Sequence, residues 1–221
     1  MRNAFLFASV VMAAAVSGCA GSDAESGDQS TVSNVGKGKA APVEGQCVKQ
    51  ATAAIKKALR RGTEVHGVKR LLKNDSMYAE VYLATVTDES DPGAAVVVVD
   101  NSSGANCAVK HVERVADSIL DDPGAPELAS DAEKASIVKH MKSKVRRDTS
   151  FDALVNRLPT FDAYVKLYTL DVSDESDSGG YVVLAEKVID GPKKGTFDVK
   201  FFFRVADTTV NDDVTSSAGG Q

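Results

Sequence analysis

The chain has no tryptophan, and its 221 residues include only three histidines and three cysteines. So few cysteines exclude a small fold stapled together by many disulfides. The histidines, His66, His111 and His140, are too scattered in sequence to read as a clustered zinc ligand set. No His-Glu-x-x-His, no Gly-x-Ser-x-Gly elbow and no Gly-Lys-Ser/Thr phosphate loop occurs, so no motif for metal, serine or nucleotide chemistry is present. Charge of one sign is also missing: 26 Lys+Arg stand against 31 Asp+Glu, a net charge of −5. That balance excludes the concentrated basic surface of a nucleic-acid binder. No cofactor is expected. What is present is an apolar fraction of 43%, enough to build a packed domain.

The amino-terminal residues are the most specific feature. Met1-Arg2-Asn3 leads into an apolar run from Ala4 to Val16, one basic residue ahead of a stretch too short to span a bilayer. Val16-Ser17-Gly18-Cys19 follows, and then Ala20. This tetrapeptide resembles the lipobox of bacterial lipoproteins. The resemblance implies that residues 1–18 are a signal peptide and that Cys19 is acylated and becomes the first mature residue. It further implies a membrane partner through the lipid anchor. Ala20, in place of the Asp that favours inner-membrane retention, implies the outer membrane facing the periplasm in a Gram-negative source. Several acyl chains anchor a protein stably, each methylene contributing about 0.8 kcal/mol.

Residues 19–46 then read as the lipidated cysteine and a flexible tether rich in Gly, Ser, Ala, Asp and Lys. A second polar stretch, 122–131, includes Asp122-Pro123-Gly124-Ala125-Pro126 and reads as a linker. Residues 208–221 read as a flexible tail.

Between these segments the chain is written twice, as 47–121 and 132–207. Moving Tyr78 onto Tyr164, a shift of 86, also places Tyr82 on Tyr168, Val86 on Val172 and Gly93 on Gly179. The same shift lays Asp88-Glu89-Ser90-Asp91 on Asp174-Glu175-Ser176-Asp177 and Leu59-Arg60-Arg61 on Val145-Arg146-Arg147. Four more residues in a late loop of the second copy bring Arg114-Val115-Ala116-Asp117 onto Arg204-Val205-Ala206-Asp207. Three blocks in the same order predict a tandem duplication.

Each copy opens on a helix, over 47–61 with an apolar stripe of Ala51, Ile55, Ala58 and Leu59, and over 132–148 with Ile137 or Val138, Met141 and Val145. Segments 63–72 and 151–158 allow a bulged strand or a helical turn. Residues 77–87 and 161–173 read as strands from their aromatic and β-branched content, and 94–100, 181–189, 107–115 and 197–205 complete the set. In the last strand Cys107, Val109, His111, Glu113 and Val115 are expected on one face, as are Phe197, Val199, Phe201, Phe203 and Val205. The fold class is α+β, a tandem duplication of a helix followed by three or four antiparallel strands, with the helix packed on the sheet. The element order resembles the cystatin-like fold class. The Gln-x-Val-x-Gly signature of cystatin inhibitors is absent, so protease inhibition is not implied. Two separate units and one merged sheet are both compatible with the repeat length.

With Cys19 assigned to lipid, Cys47 and Cys107 remain as an even pair in an oxidising compartment, and a bridge between them is expected. It would tie the start of the first helix to the last strand of the same copy, contributing roughly 4 kcal/mol by loop closure. His111 and Glu113 replace Phe201 and Phe203 of the second copy, marking either a solvated face or a polar site. Asp88, Glu89, Asp91, Asp174, Glu175 and Asp177 offer oxygen ligands of the kind calcium takes, or simply two polar hairpin turns. Lys139, Lys142, Lys144, Arg146 and Arg147 crowd the second helix, as a solvated face or as a docking site for an anionic surface or an acidic partner. The function expected is that of a lipid-anchored cell-envelope protein with a non-enzymatic binding or structural role, its partner another envelope protein. The alternative is an enzyme or small-ligand binder with a helix–sheet cavity near His111 and Glu113.

Overall fold

A computed structural model describes residues 45, 47–72, 77–88, 91–103, 107–119, 122–160, 163–174 and 177–218. All belong to one compact unit. Helix α1 (Val48–Ala58) is followed by β1 (Glu64–Arg70), β2 (Ala79–Asp88), β3 (Asp91–Asp100) and β4 (Ala108–Ala116), forming an antiparallel sheet in the order β1-β2-β3-β4. The second copy repeats this with α2 (Asp131–Met141), β6 (Ser150–Asn156), β7 (Val165–Asp174), β8 (Asp177–Lys187) and β9 (Phe197–Ala206). A two-residue strand from the linker, β5 (Glu127–Leu128), joins the edge of that sheet beside β6, giving β5-β6-β7-β8-β9. The fold is α+β and duplicated, with the equivalent elements in the same order.

Each helix covers one face of its own sheet. Ala51 and Ile55 of α1 pack on Tyr82, Ala84, Val86, Val97 and Val99, and Ile137 and Met141 of α2 pack on Tyr168, Leu170, Val183 and Ala185. The other sheet faces cover one another. Val81, Leu83, Val96 and Val98 share a core with Val165, Leu167, Val182 and Leu184. The layers therefore run helix, sheet, sheet, helix. The repeats make neither separate units nor one merged sheet; they stack face to face. This arrangement explains why Ala94 to Val99 is an unbroken apolar run: in a central strand covered on both sides, alternate residues enter different cores.

The stacking has twofold character. The N–H of Tyr78 donates to the carbonyl of Val205 (3.0 Å), and that of Tyr164 donates to the carbonyl of Val115 (3.2 Å). Tyr78 and Tyr164 are equivalent positions, as are Val115 and Val205, so the contact is reciprocal, as in a symmetric dimer.

Several sequence boundaries shift. Leu59 turns extended and ends α1 early, and Gly62 follows with φ of 97°, a left-handed turn suited to glycine. Helix α2 stops at Met141, and residues 142–145 continue as turns. Segments 63–72 and 151–158 are built around β1 and β6, whose pairing shifts between Val65 and Gly67 and between Phe151 and Leu154. The expected common face of the last strand also splits. Register shifts at Val98/Val99 and Leu184/Ala185 put Cys107, Phe197 and Val199 against the helix layer, while Phe201, Phe203, Val115 and Val205 meet the inter-sheet core. The expected tail carries a helix, α3 (Asp212–Ala218), preceded by buried Val210 and Asn211.

Candidate functional site

The Cys47–Cys107 disulfide is formed, with a Cα–Cα distance of 5.6 Å. Cys47 is the N-cap of α1, and its side chain makes no capping hydrogen bond. Its backbone N–H donates instead to the hydroxyl of Tyr82 (3.2 Å) and to Glu80 Oε2 (3.4 Å). The Tyr82 hydroxyl in turn donates to Glu80, and burial together with that bond pushes its ionisation far up. In the second copy Glu133 stands where Cys47 does. Ser130 and Glu133 form a reciprocal capping box, and the Tyr168 hydroxyl donates to Glu133 Oε1 (2.6 Å). One tyrosine position thus secures both helix starts by different chemistry. Cys19 lies outside the described residues.

His111 and Glu113 meet each other and the second copy. His111 Nε2 lies 2.9 Å from Glu113 Oε2. The imidazole stacks on Phe201 with centroids 4.3 Å apart and planes 7° from parallel. His111 and Phe201 are equivalent positions under the late-block shift of 90, so the two copies touch like-for-like at this contact. Lys110 adds its ammonium 5.4 Å from the Phe203 ring centroid. The His111 and Glu113 side chains keep 25% and 31% exposure. One ring face is covered by Phe201 and the polar edge is occupied by Glu113. The packing of this pair joins the repeats.

The acidic turns close two-residue hairpins, with Asp88 opposite Asp91 and Asp174 opposite Asp177. Glu89 and Glu175 lie outside the described residues. Asp88 is buried beside cations, 3.6 Å from Arg60 and 3.9 Å from Arg114, and Asp174 is 3.2 Å from Arg146. Asp91 and Asp177 are exposed. Among the described residues no group of three or more His, Cys, Asp or Glu could hold a metal ion. The repeated arginines account for the repeated glycines as well. A Cβ on Gly93 would stand 2.8 Å from Arg114 Nη2, and one on Gly179 would stand 3.0 Å from Arg204 Nη2. These guanidinium groups donate to the carbonyls of Pro92 and Ser178, clamping each hairpin from the adjacent strand.

A buried polar lock in the second copy has no motif in the sequence. Arg157, 4% exposed, donates from Nε to Thr169 (2.7 Å), from Nη2 to Asn211 (2.8 Å) and the Val210 carbonyl (3.1 Å), and from both terminal nitrogens to Asp213. Asp171 accepts the Val210 N–H at 2.7 Å. Burial holds the Asp171 carboxyl above its ordinary range, against the opposing pull of the Val210 and Asn211 hydrogen bonds. The available signal was an extension of the repeat, which lays Asp117-Ser118-Ile119-Leu120 on Asp207-Thr208-Thr209-Val210 and marks the tail as part of the fold.

Two open cavities are notable. One, of 610 Å³, lies where Lys69–Leu72, the linker prolines and the start of α3 meet. The other, of 440 Å³, runs between α2 and β6, with Ala135, Val138 and Phe151 in its lining. Neither includes His111 or Glu113. No protein-family profile, curated protein or solved structure matches the chain.

Proposed function

We propose that this chain is a lipid-anchored cell-envelope protein whose duplicated α+β body has a non-enzymatic binding role, carried on a tether from Cys19. The observation that carries the reading is the Cys47–Cys107 bridge, taken together with the Val16-Ser17-Gly18-Cys19 motif of the sequence. A disulfide is at home in an exported protein. This one fixes the entry of α1 to the start of β4, where a tether would meet the folded body. A pull along the tether would reach the sheet through a covalent bond instead of unwinding the helix from its end. The outer membrane facing the periplasm is the location this reading gives in a Gram-negative cell, with another envelope protein as partner. The packing of His111 on Phe201 favours binding over the alternative of an enzymatic or small-ligand cavity at His111 and Glu113.

Intact mass of the natively expressed protein tests the reading. The expected species lacks residues 1–18, carries acyl groups on Cys19 and is two hydrogens short for the disulfide. It leaves the membrane fraction when Cys19→Ser is introduced. An unmodified Cys19 in the native protein overturns the anchor.

A further inference from the structure

The two copies diverge most informatively along one groove. Lys49, Thr52 and Val65 of the first copy stand where the second has Ala135, Val138 and Phe151, three residues lining the 440 Å³ cavity between α2 and β6. Ala53 and Ala58 stand where the second copy has Lys139 and Lys144. Lys142 keeps the cation of Lys56, while Lys49 and Lys57 give way to Ala135 and Ser143, so the second copy has gained an apolar floor and moved its cations around it. Ala135 is exposed, and Val138 and Phe151 are only part-buried, so apolar surface lies open beside α2 as well as buried beneath it at Ile137 and Met141. Lys139, Lys142, Lys144 and Arg147 are exposed, with no ion-pair partner among the described residues. Basic residues at a helix C-terminus suit its dipole. That effect does not account for the apolar floor, nor for the move of cations to positions 139 and 144.

We propose that the α2–β6 groove docks an acidic segment of a partner protein, with an apolar side chain on Ala135, Val138 and Phe151 and carboxylates against Lys139, Lys142 and Lys144. Charge complementarity selects the occupant, since Lys134 and Lys142 line the groove and Lys139 and Lys144 stand exposed on the same segment of a chain of net charge −5. The apolar residues come from both α2 and β6, a strip between two elements that suits a narrow protein segment, and binding to a lipid surface is the outcome the vesicles read. Asp131 at the other end of the groove adds a direction, matching a cationic or amide-bearing end of the segment. This inference rests on the binding role proposed above and not on the anchor.

The test uses the exported full chain carrying Cys19→Ser, so that vesicle binding reads the body and not an acyl chain. A fluorescent short peptide alternating Glu and Leu is titrated by anisotropy, beside an alternating Lys and Leu peptide and phosphatidylglycerol vesicles. The acidic peptide is expected to bind saturably and more weakly at high salt. Affinity is expected to fall at least about tenfold in the combined Lys139→Glu, Lys142→Glu and Lys144→Glu variant, whose changes are all at exposed positions. Val138→Asp abolishes binding, and Thr52→Asp, at the equivalent place in the first copy, leaves it unchanged. No binding of the acidic peptide, binding indifferent to the three charge reversals, or capture by the vesicles alone overturns the proposal. Acylation is read independently by intact mass, so a failed groove and a failed anchor give different results.

Discussion

At the scale of single residues, the second copy holds a buried carboxylate, Asp171, and a part-buried one, Glu133, whose environments act in opposite directions. Burial raises the Asp171 carboxyl, so its folded pKa lies above the unfolded value near 3.9. The stability this group contributes is complete below the unfolded pKa and is lost as pH rises through the folded one. Glu133 is also pushed up by burial, but the hydrogen bonds from Ser130 and Tyr168 outweigh that and hold it below its ordinary range. Its contribution is present above the unfolded value near 4.3 and disappears as pH falls through the folded pKa. Chemical unfolding across this acid range should therefore separate the two. Asp171→Asn gains relative to the parent as pH rises to neutral, and Glu133→Gln loses over the same interval. Parallel curves for either variant would show that the assigned environment is wrong. Arg157 is a third case at this scale. Arg157→Ala takes a donor from Thr169 and the Val210 carbonyl, while Asn211 keeps the Thr169 hydroxyl, and should cost about 1–3 kcal/mol, the cost of under-satisfied buried polar groups. Its signature is faster hydrogen exchange in 208–218 ahead of the rest of the chain.

At the scale of elements, much of the architecture was legible, because each copy corrected the reading of the other. The paired blocks Arg60/Arg146 and Asp88/Asp174 were visible as repeats, and they proved to be the same ion pair made twice. Gly93 and Gly179 repeat because a guanidinium lies over each. What sequence alternation could not supply was the face of His111 and Glu113. Strict period two joined them to Cys107, but the register shift before them moves that face from the helix layer toward the other sheet. The lock around Arg157 was illegible for a different reason. Its partners Thr169, Asn211 and Asp213 lie 12, 54 and 56 residues along the chain from Arg157 and meet it only through tertiary packing. The disulfide, by contrast, followed from cysteine parity once Cys19 was set aside. Replacing Cys47 and Cys107 by Ala should cost up to about 4 kcal/mol on the loop-entropy account. The loss should register first as weakened exchange protection in α1, since Tyr82 and Glu80 then hold the helix entry alone. Uniform loss across α1 and α2 would mean that the bridge does not act locally.

At the scale of the whole molecule, the decisive fact is that neither sheet has a free inner face. The runs Val81–Leu83 and Ala94–Val99 are buried throughout, whereas a sheet with one solvated side would have polar residues at alternate positions. Val182 and Leu184 close that face from the other copy. The two repeats therefore share one core and should unfold as one cooperative unit, despite being written as separate blocks in the sequence. Leu184→Ala, which opens a cavity in the shared layer, should cost about 2–5 kcal/mol. Here hydrogen exchange in β2 and β7 should rise together, and the urea transition should shift without splitting. Protection retained in β2 while β7 is lost would mean that the copies are independent domains, and the reciprocal Tyr78–Val205 and Tyr164–Val115 bonds would then be a contact between modules, not the seam of a single fold.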